Sequence, residues 1–261
     1  MSESVELDGG RFSRARKVGR EVHRNPLNDT AMAHRFLRHL RETGFPLVPE
    51  PLESLPDGTE RLAYIEGSAA SPPYVPEQIS DEALANVSKV VRQFHDAGSH
   101  FQWPSGEEWE GFDAVRPTHF DCIGHNDLAP WNFVFDGSKV NGIIDWDVCG
   151  PSSRTWDFAY TVHHFVPFHS DRDLKAWGWS TRPNRYERLH LMVEAYGSDK
   201  ISIPDLLDAA ILRLASMGSF IAHRTRLGDP AFTVHASEDH ASAYFAASAH
   251  IIALRKDFLS R

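Results

Sequence analysis

The chain has 261 residues, 41% of them hydrophobic and 24% charged, and 27 Lys and Arg against 36 Asp and Glu leave a net charge of −9. This composition fits a globular chain of one large domain or two small ones and excludes disordered, collagen-like and fibrous classes. A duplex-nucleic-acid reader needs the opposite charge balance, so no nucleic-acid partner is expected.

Basic residues gather near the start. Residues 11–41 hold nine Lys and Arg with two acids, Glu21 and Asp29, which reads as a solvated basic face. Two cysteines, Cys122 and Cys149, are too few for a disulfide framework or a four-Cys zinc site. The opening MSESVELDGG has no basic stretch leading into an apolar one. No apolar run approaches the roughly 18–20 residues needed to cross a bilayer. A cytoplasmic protein without a membrane partner is expected.

Phe12–Lys17 and Glu21–Arg24 read as a hairpin around Val18-Gly19-Arg20. Asp29 or Thr30 caps a helix with Met32, Phe36, Leu37 and Leu40 on one face, stopping at Gly44. Arg61–Ile65 reads as a strand. Residues 68–76, SAASPPYVP, read as a linker. Ser80 caps a second helix with Leu84, Val87, Val91 and Phe94 inward, ending near Gly98. Residues 119–147 are short-stranded and loop-rich, and helical patterns resume after them, notably over Pro204–His223. The outline is a small α+β piece, a linker and a larger helical piece, with a cleft at their junction.

The chemistry concentrates in residues 122–147. His125-x-Asp127-x4-Asn132 is followed thirteen residues later by Asp145. Phe133–Phe135 and Val140–Ile144 form a predicted hairpin with Phe135 opposite Val140 and Asn132 opposite about Gly142 or Ile143. That register brings an amide oxygen and the Asp145 carboxylate to one end, within reach of a hard cation. Asp127, on the same side, is placed to accept a proton from a substrate hydroxyl. The spacing is that of a kinase catalytic loop followed by a metal-binding Asp. Read blandly, the same residues are turn formers and a strand-end cap. Asp147 is close by, but strand alternation is expected to turn it to the other face.

HNDLAPWN (125–132) followed by GIIDWD (142–147) resembles the aminoglycoside phosphotransferase family, a branch of the protein-kinase-like fold. VHRNP (22–26), HLRETGF (39–45), RLAYIEG (61–67), RQFHDAG (92–98) and GPSSRTWDFAY (150–160) resemble a short subgroup of it with a reduced N-lobe. The resemblance implies a two-lobed α+β fold: residues 1–67 an N-lobe that binds nucleotide, 68–76 a hinge, and 77–261 a mainly helical C-lobe with the acceptor pocket. It implies an enzyme that moves the γ-phosphoryl group of ATP (or GTP), with Mg²⁺, to a hydroxyl of an aminoglycoside-like or other small molecule. Asp127 would be the catalytic base, and Asn132 and Asp145 the Mg²⁺ ligands. His125 and Asp157 would support the loop. Arg24 would contact phosphate, and Tyr64, Ile65 and Glu66 would offer backbone groups to a purine. Oligomeric state, monomer or dimer, is left open.

Two departures stand out. There is no G-x-G-x-x-G loop, Gly9-Gly10 and Gly19 being isolated, and the first helix has Ala33 or His34 where a Glu would pair with the strand cation. They motivate an alternative, a catalytically weak or inactive kinase-fold binding or immunity-type protein. Three lesser features have plainer readings. His95-Asp96 reads as a helix-end pair, His163-His164 as packing because a zinc site would need a third ligand, and Phe165 to Phe168 as packing or pocket lining.

Overall fold

The structure, a computed structural model, describes residues 4–7, 15–26, 30–102, 109, 117 and 119–260. It opens on a four-stranded antiparallel sheet in the order β1 (Ser4–Leu7), β2 (Ala15–Val18), β3 (Glu21–Arg24) and β4 (Glu60–Ala63). The turn between β2 and β3 falls at Gly19, whose φ of +63° suits glycine. Strand β1 was not expected. Positions 12–14 of the expected hairpin, Gly9-Gly10 and the candidate cap Asp29 lie outside the described residues.

Helix α1 (Ala31–Glu42) starts after Thr30 and buries Phe36, Leu37 and Leu40. It stops before Gly44, at φ +92°. The expected strand from Arg61 ends early, at Ala63. Beyond it, Ser68 and Ala69 form β5 (Ser68–Ala69), which pairs with Phe135 and Val134 in β7 (Phe133–Asp136). Gly67 makes that junction possible. A Cβ there would sit 2.5 Å from the Phe135 carbonyl oxygen, and φ is +135°.

The larger lobe is mainly helical. The Ser80 hydroxyl accepts the Ala83 N–H at 3.2 Å and caps α2 (Asp81–Gly98). Strand β6 (Cys122–Gly124) pairs with β9 (Gly150–Ser152), and β7 pairs with β8 (Lys139–Ile143). There follow α3 (Arg154–Phe165), α4 (Arg185–Tyr196), α5 (Ile203–Arg226), the short α6 (Thr233–Ser237) and α7 (His240–Leu259).

Among the described residues α5 alone is long and apolar enough to cross a bilayer, with mean hydropathy 1.3 over 18 residues. The expectation that no stretch comes near this length is therefore corrected. Helix α5 packs against α3 and α7 and buries Leu206, Leu207, Arg213, Leu214 and Ile221 on one side, while Leu212 on the other is exposed.

Aromatic rings join the lobes beneath the loop-rich segment. Phe36 of α1 meets Phe94 of α2 at 6.2 Å and Trp146 at 5.9 Å, and Phe94 meets Trp146 at 5.1 Å, all edge-on. His125 lies 4.6 Å from the Trp146 ring. The position of the catalytic-type loop is thus set by the same core that holds α1. Phe165 and Phe168 are fully buried, against Phe133 and Phe258 respectively, so they pack the core.

Candidate active site

The loop between β6 and β7 is built on one buried carboxylate. Ser153 caps α3 through the Trp156 N–H at 3.2 Å, which sets Asp157 in the first turn. Asp157 accepts the backbone N–H of His125 at 2.9 Å and of Asn126 at 2.7 Å, and His95 Nε2 lies 3.1 Å away. Burial opposes its ionisation. The hydrogen bond and charge of His95 outweigh that, and the carboxyl stays below its ordinary pKa. Gly124 permits the approach, since a Cβ there would lie 3.0 Å from Asp157 Cγ and 2.7 Å from Ser152 Cβ.

His125 is wholly buried, and burial lowers its pKa, so the ring is neutral. Its Nε2 lies 2.9 Å from the Ile144 carbonyl oxygen, which can only accept, so Nε2 carries the proton. Nδ1 then accepts the Asp127 N–H at 3.2 Å. Asn126, at φ +63°, lets the chain turn sharply, and Arg213 of α5 donates to its carbonyl.

Asn132 Nδ2 donates to the backbone oxygen of Asp127 at 2.7 Å and to its Oδ2 at 2.9 Å. That fixes the Asp127 rotamer and leaves the amide oxygen of Asn132 out of these bonds. Burial, and then the nearby charge of Asp145, push the Asp127 carboxyl up to about 7; the Asn132 bond works the other way.

The hairpin register is close to expectation. Phe135 faces Val140, while the Ile144 N–H bonds the Asn132 carbonyl at 2.9 Å, one residue further along than anticipated. Asp145 follows immediately, at φ +66°. Trp146 Nε1 donates back to Ile143 at 2.9 Å, and Asp147 returns to the same side as Asp145. This corrects the expected divergence: alternation separates neighbours in sequence, whereas residues two apart such as 145 and 147 share a face, so it gives no reason for Asp147 to point away.

Arg24 closes the site from β3. Its Nη1 donates to Asp145 Oδ1 at 3.0 Å, its Nη2 to Asp147 and its Nε to Glu60. Glu60 sits directly opposite Arg24 in the β3–β4 register, and His34 of α1 bonds its other oxygen. The missing helix Glu is therefore replaced by a strand Glu, with the helix supplying His34 as its brace. Burial works against the Arg24 charge, but the three carboxylates hold the guanidinium protonated. Asp147 is raised to about 6, by burial first, against the pull of Arg24.

The stretch Tyr64–Glu66 links the lobes. The Tyr64 N–H bonds Arg20 O at 2.9 Å, Lys17 lies 3.5 Å over the Tyr64 ring, and Asn141 Nδ2 donates to Glu66 O at 3.0 Å. Ile65 packs against Gly142, where a Cβ would meet its Cδ1 at 2.5 Å. One of the backbone acceptors expected to face a base is thus already engaged.

Asp127, Asn132, Asp145 and Arg24 converge, with His125 and Asp157 behind them. The pattern missed Glu60 and Arg213 and turned Asp147 away. Glu60 shows no spacing signal, whereas His95-Asp96 was visible but read as a helix end. His95 in fact bonds Asp157 and the Tyr196 hydroxyl, the latter at 2.8 Å, while Asp96 pairs with Arg92 and Arg154.

The family model described as "Phosphotransferase enzyme family" matches residues 99–189, which contain this loop and α3. The trifolitoxin immunity protein of Rhizobium leguminosarum bv. trifolii is 29% identical over 205 residues, 76% of this chain and 75% of that one. A choline/ethanolamine kinase family protein from Mesorhizobium loti superposes with a TM-score of 0.62 at 16% identity, covering 97% of this chain and 88% of its own. The ADP-bound aminoglycoside phosphotransferase APH(2'')-Ib superposes at 0.59 with 13% identity, covering 96% and 95%. The fold is protein-kinase-like and two-lobed, α+β, and the resemblance to the aminoglycoside phosphotransferases holds in both sequence profile and fold.

Proposed function

We propose that the chain is a cytoplasmic small-molecule kinase that transfers the γ-phosphoryl group of ATP (or GTP) to a hydroxyl. The observation that carries this reading is the convergence of Asp127, Asn132 and Asp145 beside Arg24. Residues 1–67 would hold the nucleotide with Tyr64, Ile65 and Glu66 at its base, 68–76 would act as hinge, and 77–261 would bind the acceptor.

The oxygen donors fit Mg²⁺. Asn132 offers an amide oxygen and Asp145 a carboxylate with 45% of its side chain exposed, and Asp147 stands beside it. Bound there, Mg²⁺ would neutralise charge on the transferred phosphoryl group. Arg24 would exchange the two aspartates for phosphate oxygens. Asp127 would take the acceptor proton as that oxygen bonds the γ-phosphorus and the β–γ bridging bond breaks. His125 and Asp157 would hold Asp127 in register.

The test is a thermal-shift titration with ATP, GTP and ADP, each with and without Mg²⁺. A ligand at a hundred times its Kd adds about 2.7 kcal/mol. A Mg²⁺-dependent shift that vanishes in Asp145→Ala supports the site.

A second reading, a kinase-fold immunity-type protein, is favoured by the immunity-protein relative and by the closed Arg24 bridge. It predicts no nucleotide shift at millimolar concentration.

A further inference from the structure

The last turn of α3 carries His163 and His164, and the chain then doubles back. The Phe168 N–H bonds the His163 carbonyl at 2.9 Å, which returns His169 to the same spot. The ring centroids lie 4.6 Å apart for His163 and His164, 4.4 Å for His163 and His169, and 5.3 Å for His164 and His169. One nitrogen from each ring lies within 4.8 Å of the other two. This is the third ligand that no regular spacing in the sequence indicated.

Three nitrogens here are buried without a hydrogen-bond partner among the described residues: His163 Nδ1, His164 Nδ1 and His164 Nε2. His163 is 2% and His164 4% exposed. A buried imidazole nitrogen left without a partner is costly, and three at one point call for an explanation such as a bound ion. We infer that His163, His164 and His169 form a site for one divalent transition-metal ion of the zinc class, bound by three imidazole nitrogens with a fourth position open to water.

The chemistry of the surroundings agrees. The set contains no carboxylate, which disfavours Mg²⁺ and Ca²⁺ and suits a borderline metal. Burial holds all three rings far below their ordinary pKa, so each is neutral with a lone pair to give. Arg185, whose charge acts on His169, is offset by Asp171 at 2.7 Å and spends its other donors on the carbonyls of Pro167 and His169, while Arg213, whose charge acts on His164, donates to the carbonyls of Trp156 and Asn126. Tetrahedral bonds of about 2.1 Å place ligand nitrogens about 3.4 Å apart, so the rings must close by roughly 1.5 Å, within the reach of side-chain rotation. His169 stacks on Trp177 at 4.3 Å and is the half-buried member, so the entry path runs past it. His164 lies 4.9 Å from the Trp131 ring, one residue before Asn132. A metal here would tie the end of α3 to the catalytic-type loop, at a site separate from the oxygen donors of Asn132 and Asp145. This inference does not depend on the phosphotransferase reading.

The test uses full-length, untagged protein stripped with a chelator. Titration with Co²⁺ should give one equivalent bound, with the intense visible bands of a four-coordinate ion, and Zn²⁺ should displace it. Asp145→Ala should leave binding unchanged. His169→Gln should weaken it by at least about 100-fold with an unaltered circular-dichroism spectrum, and His163→Asn serves if that variant misfolds. No Co²⁺ binding by the unmodified chain, binding that ignores both histidine variants, or binding lost in Asp145→Ala would each overturn the site.

Discussion

Arg24 Nη1 donates to Asp145 Oδ1 at 3.0 Å while the same guanidinium is held by Glu60 on the neighbouring strand. A side chain expected to meet phosphate and a carboxylate expected to meet a cation therefore satisfy one another. Any divalent ion must displace that contact before it can use both Asp145 and Asp147.

Arg24→Met should therefore raise the affinity for Mn²⁺ in the absence of nucleotide several-fold, measured by electron paramagnetic resonance, and lower the affinity for the Mg²⁺–nucleotide complex. The variant also leaves Glu60 buried with only His34 as partner, which should cost about 3 kcal/mol in a denaturant titration. Unchanged Mn²⁺ affinity would show that the guanidinium does not compete for the aspartates.

Asp127 is expected to act as a base, so only its ionised form works. With its pKa at about 7, kcat/KM should rise with pH towards 7 and then level off. Asp127→Asn should remove that rise and several orders of magnitude of turnover. The sign for stability is opposite. The folded carboxyl holds its proton above the unfolded value of 3.8, so the folded state loses stability as pH rises from about 4 to 7. The Tm gain of Asp127→Asn over the unmodified chain should be negligible at pH 4 and clear at pH 8.

Asp157 is buried and serves three donors. Asp157→Asn cannot accept at both oxygens and places an NH₂ against backbone N–H groups. It should lower stability by about 3 kcal/mol and turnover by at least about 100-fold. The Asp157 contribution is present above the ordinary carboxylate pKa and lost as pH falls through its lowered folded value. The stability gap between variant and unmodified chain should therefore narrow in strong acid.

Trp146 has 2% of its surface exposed and contacts Phe36, Phe94 and His125. Trp146→Ala should cost about 3–5 kcal/mol by calorimetry and loosen the loop above it. A loss under about 1 kcal/mol would mean that the rings do not join the lobes.

Much of this architecture was legible because it rests on local rules. The Ser80 cap, the Gly44 stop and the Phe135–Val140 hairpin follow from residue type and spacing, and the fold neighbours agree with the overall outline. The unread parts depend on contacts distant in sequence. Glu60 meets Arg24 across 36 positions and His95 meets Asp157 across 62. Asp147 was misjudged because alternation turns away the next residue and not the one after it, so positions 145 and 147 belong on one side. His169 joins His163 and His164 only through the turn that follows α3, where no regular period applies.

The placement of Glu60 has a consequence for control. Where the acidic partner of a strand cation rides on a helix, swinging that helix makes or breaks the pair, and the helix becomes a switch. Here both partners face each other across adjacent strands, locked by the sheet's own ladder. A shift of α1 would cost the His34 contact but leave Arg24 and Glu60 together. A helix movement would therefore not separate this pair, whereas a ligand that takes the guanidinium's contacts would.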